Sequence, residues 1–304
     1  MIARLLLAFC LLRCAGLSAA ERNLVVGYLP EYRLESMVPA QLAGVTDLVF
    51  FGIAPTTEGR LPNPPIEPSV MAKYCKATAT FKGRRLITVG GWDRSAGFAK
   101  LSTNRIARAA FIEPLLKFCH ANGFQGIDYD WEHPKDLKQL HDYAALLADT
   151  KALAGSDDFL VTVAQAGWQI LPKKAYAVAD RVHLMAYDHK FPQATMQKSM
   201  REMEELVNRW CPPHKAVLGI PFYGRNQKGD ALAYAEIARR FPGEISKDIA
   251  GGYAFNNRSM IQGKIDYIKR RKLGGIMIWE LGQDSRGKDA LLPLIVRQMR
   301  SSAD

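Results

Sequence analysis

Residues 123–134 read Gly123-Phe124-Gln125-Gly126-Ile127-Asp128-Tyr129-Asp130-Trp131-Glu132-His133-Pro134. Three acids, Asp128, Asp130 and Glu132, alternate with three large apolar residues, Ile127, Tyr129 and Trp131. That spacing is the period of a β-strand, in which residues two apart share a face. Adjacent acids then have Cα atoms about 6.6 Å apart. Two ionised carboxylates at that distance repel by about 2.5 kcal/mol at an effective dielectric of about 20. On a buried face the three would not all be charged at neutral pH, and at least one would keep its proton well above its ordinary range. That makes a general acid for neutral pH. In isolation the same stretch also reads as a strand with one water-facing acidic side, so its surroundings decide.

Short β-branched runs recur along the chain. They begin at Leu24, Asp47, Arg85, Gly126, Leu160, Arg181, Ala216 and Gly275. Amphipathic segments lie between them. One runs from Ile106 to His120, with Ile106, Ala110, Leu115, Phe118 and Cys119 on one face, and another from Leu137 to Leu153. Eight alternations of strand and helix predict an α/β fold, a single-domain (β/α)8 TIM barrel over residues 21–304. A doubly wound open sheet is the rival, but no Gly-rich phosphate turn follows the first strand. The connection from Pro221 to Gly274 holds two helical patterns, Ala231–Phe241 and Met260–Lys272. What remains is too short for an inserted α+β module with its own core, and a shallow cleft is expected.

Within a barrel the opening motif becomes the fourth strand. A parallel barrel strand has no solvated face, so the three acids point inward and Glu132 reaches the C-terminal mouth, where barrel active sites are built. Other strand ends converge there: Tyr28, Thr88 with the Gly90-Gly91-Trp92 corner, Met185 with Tyr187 and Asp188, Tyr223 with Arg225, and Trp279. Aromatic walls around buried acids describe a cleft for sugar rings. His133 reads as a rim residue, since no second ligand stands at metal-binding spacing.

Composition sets the outer limits. The 304 residues are 48% hydrophobic and 23% charged, with a net charge of +11. No nucleic-acid motif accompanies that charge, and no internal stretch suits a membrane span. The start differs: a basic Met1–Arg4, an apolar Leu5–Leu12 and small residues at Ser18-Ala19-Ala20 predict a signal peptide over residues 1–20 and a secreted or periplasmic protein. Cys75, Cys119 and Cys211 then remain, too few for a disulfide framework, and read as buried thiols with room for one pair. A monomer is expected.

The motifs together resemble glycoside hydrolase family 18, the chitinases and their relatives. That family's D-G-x-D-x-D-x-E appears as Q-G-I-D-Y-D-W-E, and its S-x-G-G as Thr88-Val89-Gly90-Gly91. Its M-x-Y-D is Met185-Ala186-Tyr187-Asp188, its Y-G-R is Tyr223-Gly224-Arg225, and its last-strand tryptophan is Trp279. Gln125 and Thr88 depart from the pattern, Thr88 keeping a hydroxyl for Asp128. The resemblance implies a retaining hydrolase of β-1,4-linked N-acetylglucosamine polymers that needs no metal or organic cofactor. In such enzymes the substrate's own 2-acetamido oxygen replaces the second carboxylate. Here Asp188, Glu280 and Asp284 are the other acids to consider, and none is clearly opposite Glu132. Carried over, Glu132 is the acid and base, and Asp130 bonds the acetamido N–H. Asp128 shares a proton with Asp130, held by Tyr28 and Thr88. Tyr187 aligns the acetamido oxygen. Trp279 is the sugar's floor, and Gly91, Trp92, Met185, Asp188, Tyr223 and Arg225 are binding contacts. The alternatives are an endo-β-N-acetylglucosaminidase acting on N-glycans or cell-wall glycan, and a silent sugar-binding protein. The silent form would have lost the acid, which is present here.

Overall fold

The computed structural model describes residues 23–301, so the signal peptide read over residues 1–20 lies outside the described residues. In chain order the strands are β1 (Leu24–Pro30), β2 (Asp47–Ile53), β3 (Arg84–Gly90), β4 (Gly126–Asp130), β5 (Leu160–Ala166), β6 (Arg181–Met185) and β7 (Ala216–Pro221). Four very short ones follow, β8 (Tyr223–Arg225), β9 (Ala231–Ala233), β10 (Ile249–Ala250) and β11 (Tyr253–Ala254), before β12 (Gly275–Trp279). Strands β1 to β7 pair in sequence, each parallel to the next, and β12 closes the ring between β7 and β1. This is the expected (β/α)8 barrel. Every residue of β1, β2, β4 and β7 is buried, as strands covered by helices outside and side chains inside must be.

The helices start where local chemistry starts them. Asn104, Asp136, Thr195 and Asn257 each accept a hydrogen bond from a backbone N–H in the first turn of the helix they precede, which satisfies donors that the helix leaves free. The helix Arg105–Ala121 buries Phe111, Ile112, Leu115, Leu116 and Cys119. Ile106 and Ala110, expected on that face, are exposed instead. Ile106 precedes Leu115 by nine residues, which is two and a half helical turns, so it points the opposite way.

The connection between β7 and β12 holds a small antiparallel sheet in the order β10-β11-β8-β9; the sequence read β8, β10 and β11 as loop and β9 as the start of the helix Ala231–Phe241, which begins at Tyr234 instead. It has no core of its own. Tyr234, Ile237, Ala250 and Phe255 all join the main barrel core, so the chain remains one domain without an inserted module. Cys75, Cys119 and Cys211 are free thiols. Cys75 is exposed, against the expectation of three buried ones.

Candidate active site

Inside the barrel, Asp128 and Asp130 are buried to 0% and 3% exposure, while the Glu132 side chain reaches the cleft with 13% exposure. The outward alternates behave as strand parity requires. Trp131 stacks on Phe98 at 5.1 Å, and the Tyr129 hydroxyl meets Thr150 at 2.9 Å in the helix behind. Burial first, then the charges of Glu132 and Asp128, push the Asp130 carboxyl well above the usual carboxylate range. Burial and the nearby Asp188 and Asp93 raise Glu132 to about 7. A carboxyl that holds its proton to neutral pH on the lip of a cleft can protonate a leaving oxygen.

The backbone that carries Glu132 is fixed from β3. Gly90 and Gly91 both have φ near +100°. A Cβ on Gly90 would lie 2.2 Å from the Asp130 carbonyl, and one on Gly91 would lie 2.3 Å from the Phe51 ring. Only glycine permits both the dihedral and the approach. The Gly91 N–H then donates to the Asp130 carbonyl at 2.7 Å. Ser95, not foreseen from the sequence, donates to the same carbonyl and accepts from the Glu132 N–H at 3.0 Å.

The cleft encloses about 830 Å³ and is lined by Tyr28, Trp92, Asp130, Glu132, Met185, Tyr187, Asp188, Tyr223, Arg225 and Trp279, all anticipated, together with Phe51, Trp168 and His133 among others. Trp279 forms the floor, braced by Tyr28 at 5.6 Å and by the edge of Phe51 at 5.0 Å. Burial and the surrounding phenol and carboxyl groups raise the Tyr187 phenol well above its usual range. Among the described residues its only acceptor is the Met277 sulfur at 3.9 Å, which leaves the O–H able to donate to a ligand. Asp188 is engaged on one oxygen by the Tyr223 hydroxyl at 2.6 Å and by Arg225 Nε. Trp92 and Trp168 stand on the rim at 72% and 68% exposure. The ring of Trp168 meets His133 at 4.6 Å, which gives His133 the rim position expected of it.

Asp128 is held differently from expectation. The Tyr28 hydroxyl donates to its Oδ2 at 2.7 Å as foreseen, but its Oδ1 receives Thr162 from β5 and lies 3.1 Å from His183 Nδ1 on β6. Thr88 Oγ1 is buried with no partner. Both threonines sit opposite Asp128 in the ladder register, and the β5 hydroxyl is the one that reaches the carboxylate. The other acids weighed against Glu132 are also placed. Glu280 is buried against Arg33 at 2.8 Å and the Gly282 N–H. Asp284 accepts from the Leu291 and Leu292 N–H groups. Neither lines the cleft. Glu202 does, paired with His189 at 2.8 Å. Among the described residues no group of three or more His, Cys, Asp or Glu is placed to hold a metal ion, and no helix is long and apolar enough to cross a membrane.

Comparison with known proteins agrees with this geometry. Chitinase 1 of Aphanocladium album is 26% identical over 267 residues, 68% of this chain and 63% of that protein. Endochitinase 1 of Metarhizium robertsii is 24% identical over 279 residues, 72% of this chain and 66% of that protein. The chain thus spans just under two thirds of the length of these curated relatives. Among solved structures, a chitinase from Bacteroides thetaiotaomicron superposes with a TM-score of 0.82 at 21% identity, covering 91% of this chain and 96% of that one. A chitinase from Cycas revoluta in complex with (GlcNAc)4 superposes at 0.74 and 21% identity, covering 91% and 98%. The model of the glycosyl hydrolases family 18 matches residues 25–284. With the barrel, the acid ladder on β4 and a match over most of its length, the chain belongs to glycosyl hydrolases family 18.

Proposed function

We propose that this chain is a retaining glycosidase that cleaves β-1,4 bonds of N-acetylglucosamine polymers of the chitin type by substrate-assisted catalysis. One observation carries the reading: the carboxylates that line the cleft besides Glu132 are Asp130, on the same strand, and Asp188 and Glu202, each held on one oxygen by Tyr223 and Arg225 or by His189, while the nearby Asp93 does not line it. A two-carboxylate mechanism needs a second acid across the scissile bond. Without one, the nucleophile is the substrate's own acetamido oxygen.

The steps follow from position. The sugar to be cleaved rests on Trp279. Tyr187, a free donor, binds the acetamido oxygen and aims it at the anomeric carbon. Glu132 gives its proton to the leaving oxygen as that C–O bond breaks, and later takes a proton from the water that opens the cyclic intermediate. Asp130 accepts from the acetamido N–H and offsets the positive charge that develops there. Asp128 and Asp130 share one proton.

The pH dependence is set by Glu132. It must be protonated to act as the acid, and its carboxyl is raised to about 7. Turnover is therefore expected to hold below that pH and to fall as pH rises through it. A kcat profile on a soluble N-acetylated oligomer checks this. An alkaline limb starting near pH 5, about where an ordinary glutamate would place it, would contradict it.

Of the β7–β12 connection only Tyr223, Arg225, Gly229 and Ala231 line the cleft, a low wall that supports non-processive, endo-type cutting. Mixed short products are expected in the first few per cent of chitin hydrolysis. Strong dimer dominance from the outset would count against it. Assayed in parallel, N-glycan and peptidoglycan substrates separate the alternative specificities, and a wild-type protein that binds but cuts none of them would be the silent sugar-binding form.

A further inference from the structure

We propose that His183 is a positioning residue of this site: through Nδ1–H it holds the Tyr28 hydroxyl, which in turn pins Asp128 as the acceptor at the base of the acid ladder, and so keeps the shared proton on Asp130 in the resting enzyme. The inference rests on the reaction proposed above.

His183 lies in the barrel interior at 0% exposure and does not line the cleft. Its Nδ1 is 2.9 Å from the Tyr28 hydroxyl and 3.1 Å from Asp128 Oδ1. Its Nε2 is buried with no partner among the described residues. Two tautomers are available to the ring. If the proton sat on Nε2, it would be a buried donor with nothing to accept it, which is rare and costly. Nδ1 would then turn a lone pair toward an Asp128 oxygen at 3.1 Å. Tyr28, with one proton to give, would have to abandon either the imidazole or Asp128 Oδ2 at 2.7 Å. With the proton on Nδ1 these conflicts vanish. His183 donates to the Tyr28 oxygen at 2.9 Å, Tyr28 donates to Asp128 Oδ2, and only an unused lone pair is left at Nε2.

Two donors, from Tyr28 and Thr162, then take one oxygen each of Asp128, and His183 holds the first of them in place. Asp130 Oδ1 has no partner among the described residues. A proton shared by the two acids resides where no donor opposes it, on Asp130 beside Glu132. There it lowers the negative charge beside Glu132 in the resting enzyme, and it passes to Asp128 as positive charge develops on the acetamido group, which leaves Asp130 ionised to offset that charge. Other groups do not offset this. At the register of His183, β5 and β7 present Ala164 and Val217. Thr88 on β3 is neutral, and Tyr187 and Tyr143 keep their protons through burial. Two residues earlier on β6, Arg181 is committed to Asp47 at 2.9 Å.

The test compares His183→Leu, which has no donor, with His183→Asn, which keeps one. His183→Leu is expected to lower kcat about tenfold, the scale of one buried hydrogen bond. KM should stay within about twofold, since the residue does not line the cleft. The kcat profile should gain or raise an acid limb by about one pH unit, because the Asp128–Asp130 pair, which must stay singly protonated, loses a hydrogen bond that favours its ionised form. His183→Asn should recover most of both. A His183→Leu protein with wild-type melting temperature and an unmoved acid limb would overturn the proposal. An activity-independent readout stands beside it: long-range ¹⁵N–¹H correlation of the wild-type imidazole, expected to place the proton on Nδ1. A proton on Nε2 instead would overturn the assignment even if His183→Leu failed to fold. If the wild type cleaved no N-acetylated oligomer, the reaction proposed above would fail, while the tautomer result would still decide the role of His183 in holding Asp128.

Discussion

Glu132→Gln is expected to lower kcat at least about a hundredfold, the range general acid catalysis supplies, with binding of N-acetylglucosamine oligomers retained. A hundredfold is about 2.7 kcal/mol of barrier. Glutamine keeps the shape of glutamate and the backbone bond from Glu132 N–H to Ser95 Oγ, but has no proton to give at neutral pH. The variant should fold as the wild type does. The substitution removes a partly buried carboxyl that burial and neighbouring acids already disfavour in its charged form. Steady-state kinetics and calorimetric titration of the same preparation separate lost chemistry from lost binding. Near wild-type turnover by a verified variant would remove Glu132 from the role of acid.

Fully deacetylated chitosan should resist hydrolysis under conditions in which N-acetylated oligomers are cut readily. A free amine at the cleavage subsite has no carbonyl oxygen to attack the anomeric carbon, and the other carboxylates lining the cleft lie on the strand of Glu132 itself, as Asp130 does, or are held by neighbouring side chains, as Asp188 and Glu202 are. The loss should approach the whole chemical step rather than a fraction of it, because the nucleophile is absent rather than misplaced. Chain length followed by size-exclusion chromatography is the measurement. Brisk depolymerisation of the deacetylated chain would require a nucleophile from the protein, with Asp188 the first to examine.

Most of this architecture was legible in the sequence because barrel strands are short, continuously apolar and separated by amphipathic segments. The eight strand positions follow from that contrast alone. The inward acids follow from parity, because once β4 is a barrel strand its alternate residues have nowhere else to point. Three features escaped for identifiable reasons. The sheet of β8 to β11 consists of two- and three-residue strands, too short to show a period. Thr88 and Thr162 stand at the same level on either side of Asp128, and a one-dimensional reading cannot tell which hydroxyl reaches it. Trp168 and Ser95 sit in loops after β5 and β3, where no periodicity assigns a direction. His183 is different. It precedes Met185 by two residues on β6, so parity places it inward, and a histidine pointing into a barrel already holding three acids was a readable signal.

Proton NMR of the anomeric region, recorded in the first minutes after mixing enzyme with an N-acetylglucosamine oligomer, tests substrate-assisted catalysis most directly. Attack by the acetamido oxygen followed by water inverts the anomeric centre twice. The newly formed reducing ends should therefore appear first as the β-anomer and drift to the equilibrium mixture by mutarotation. Reducing ends that appear first as the α-anomer would mean a single direct displacement by water, and would contradict the account.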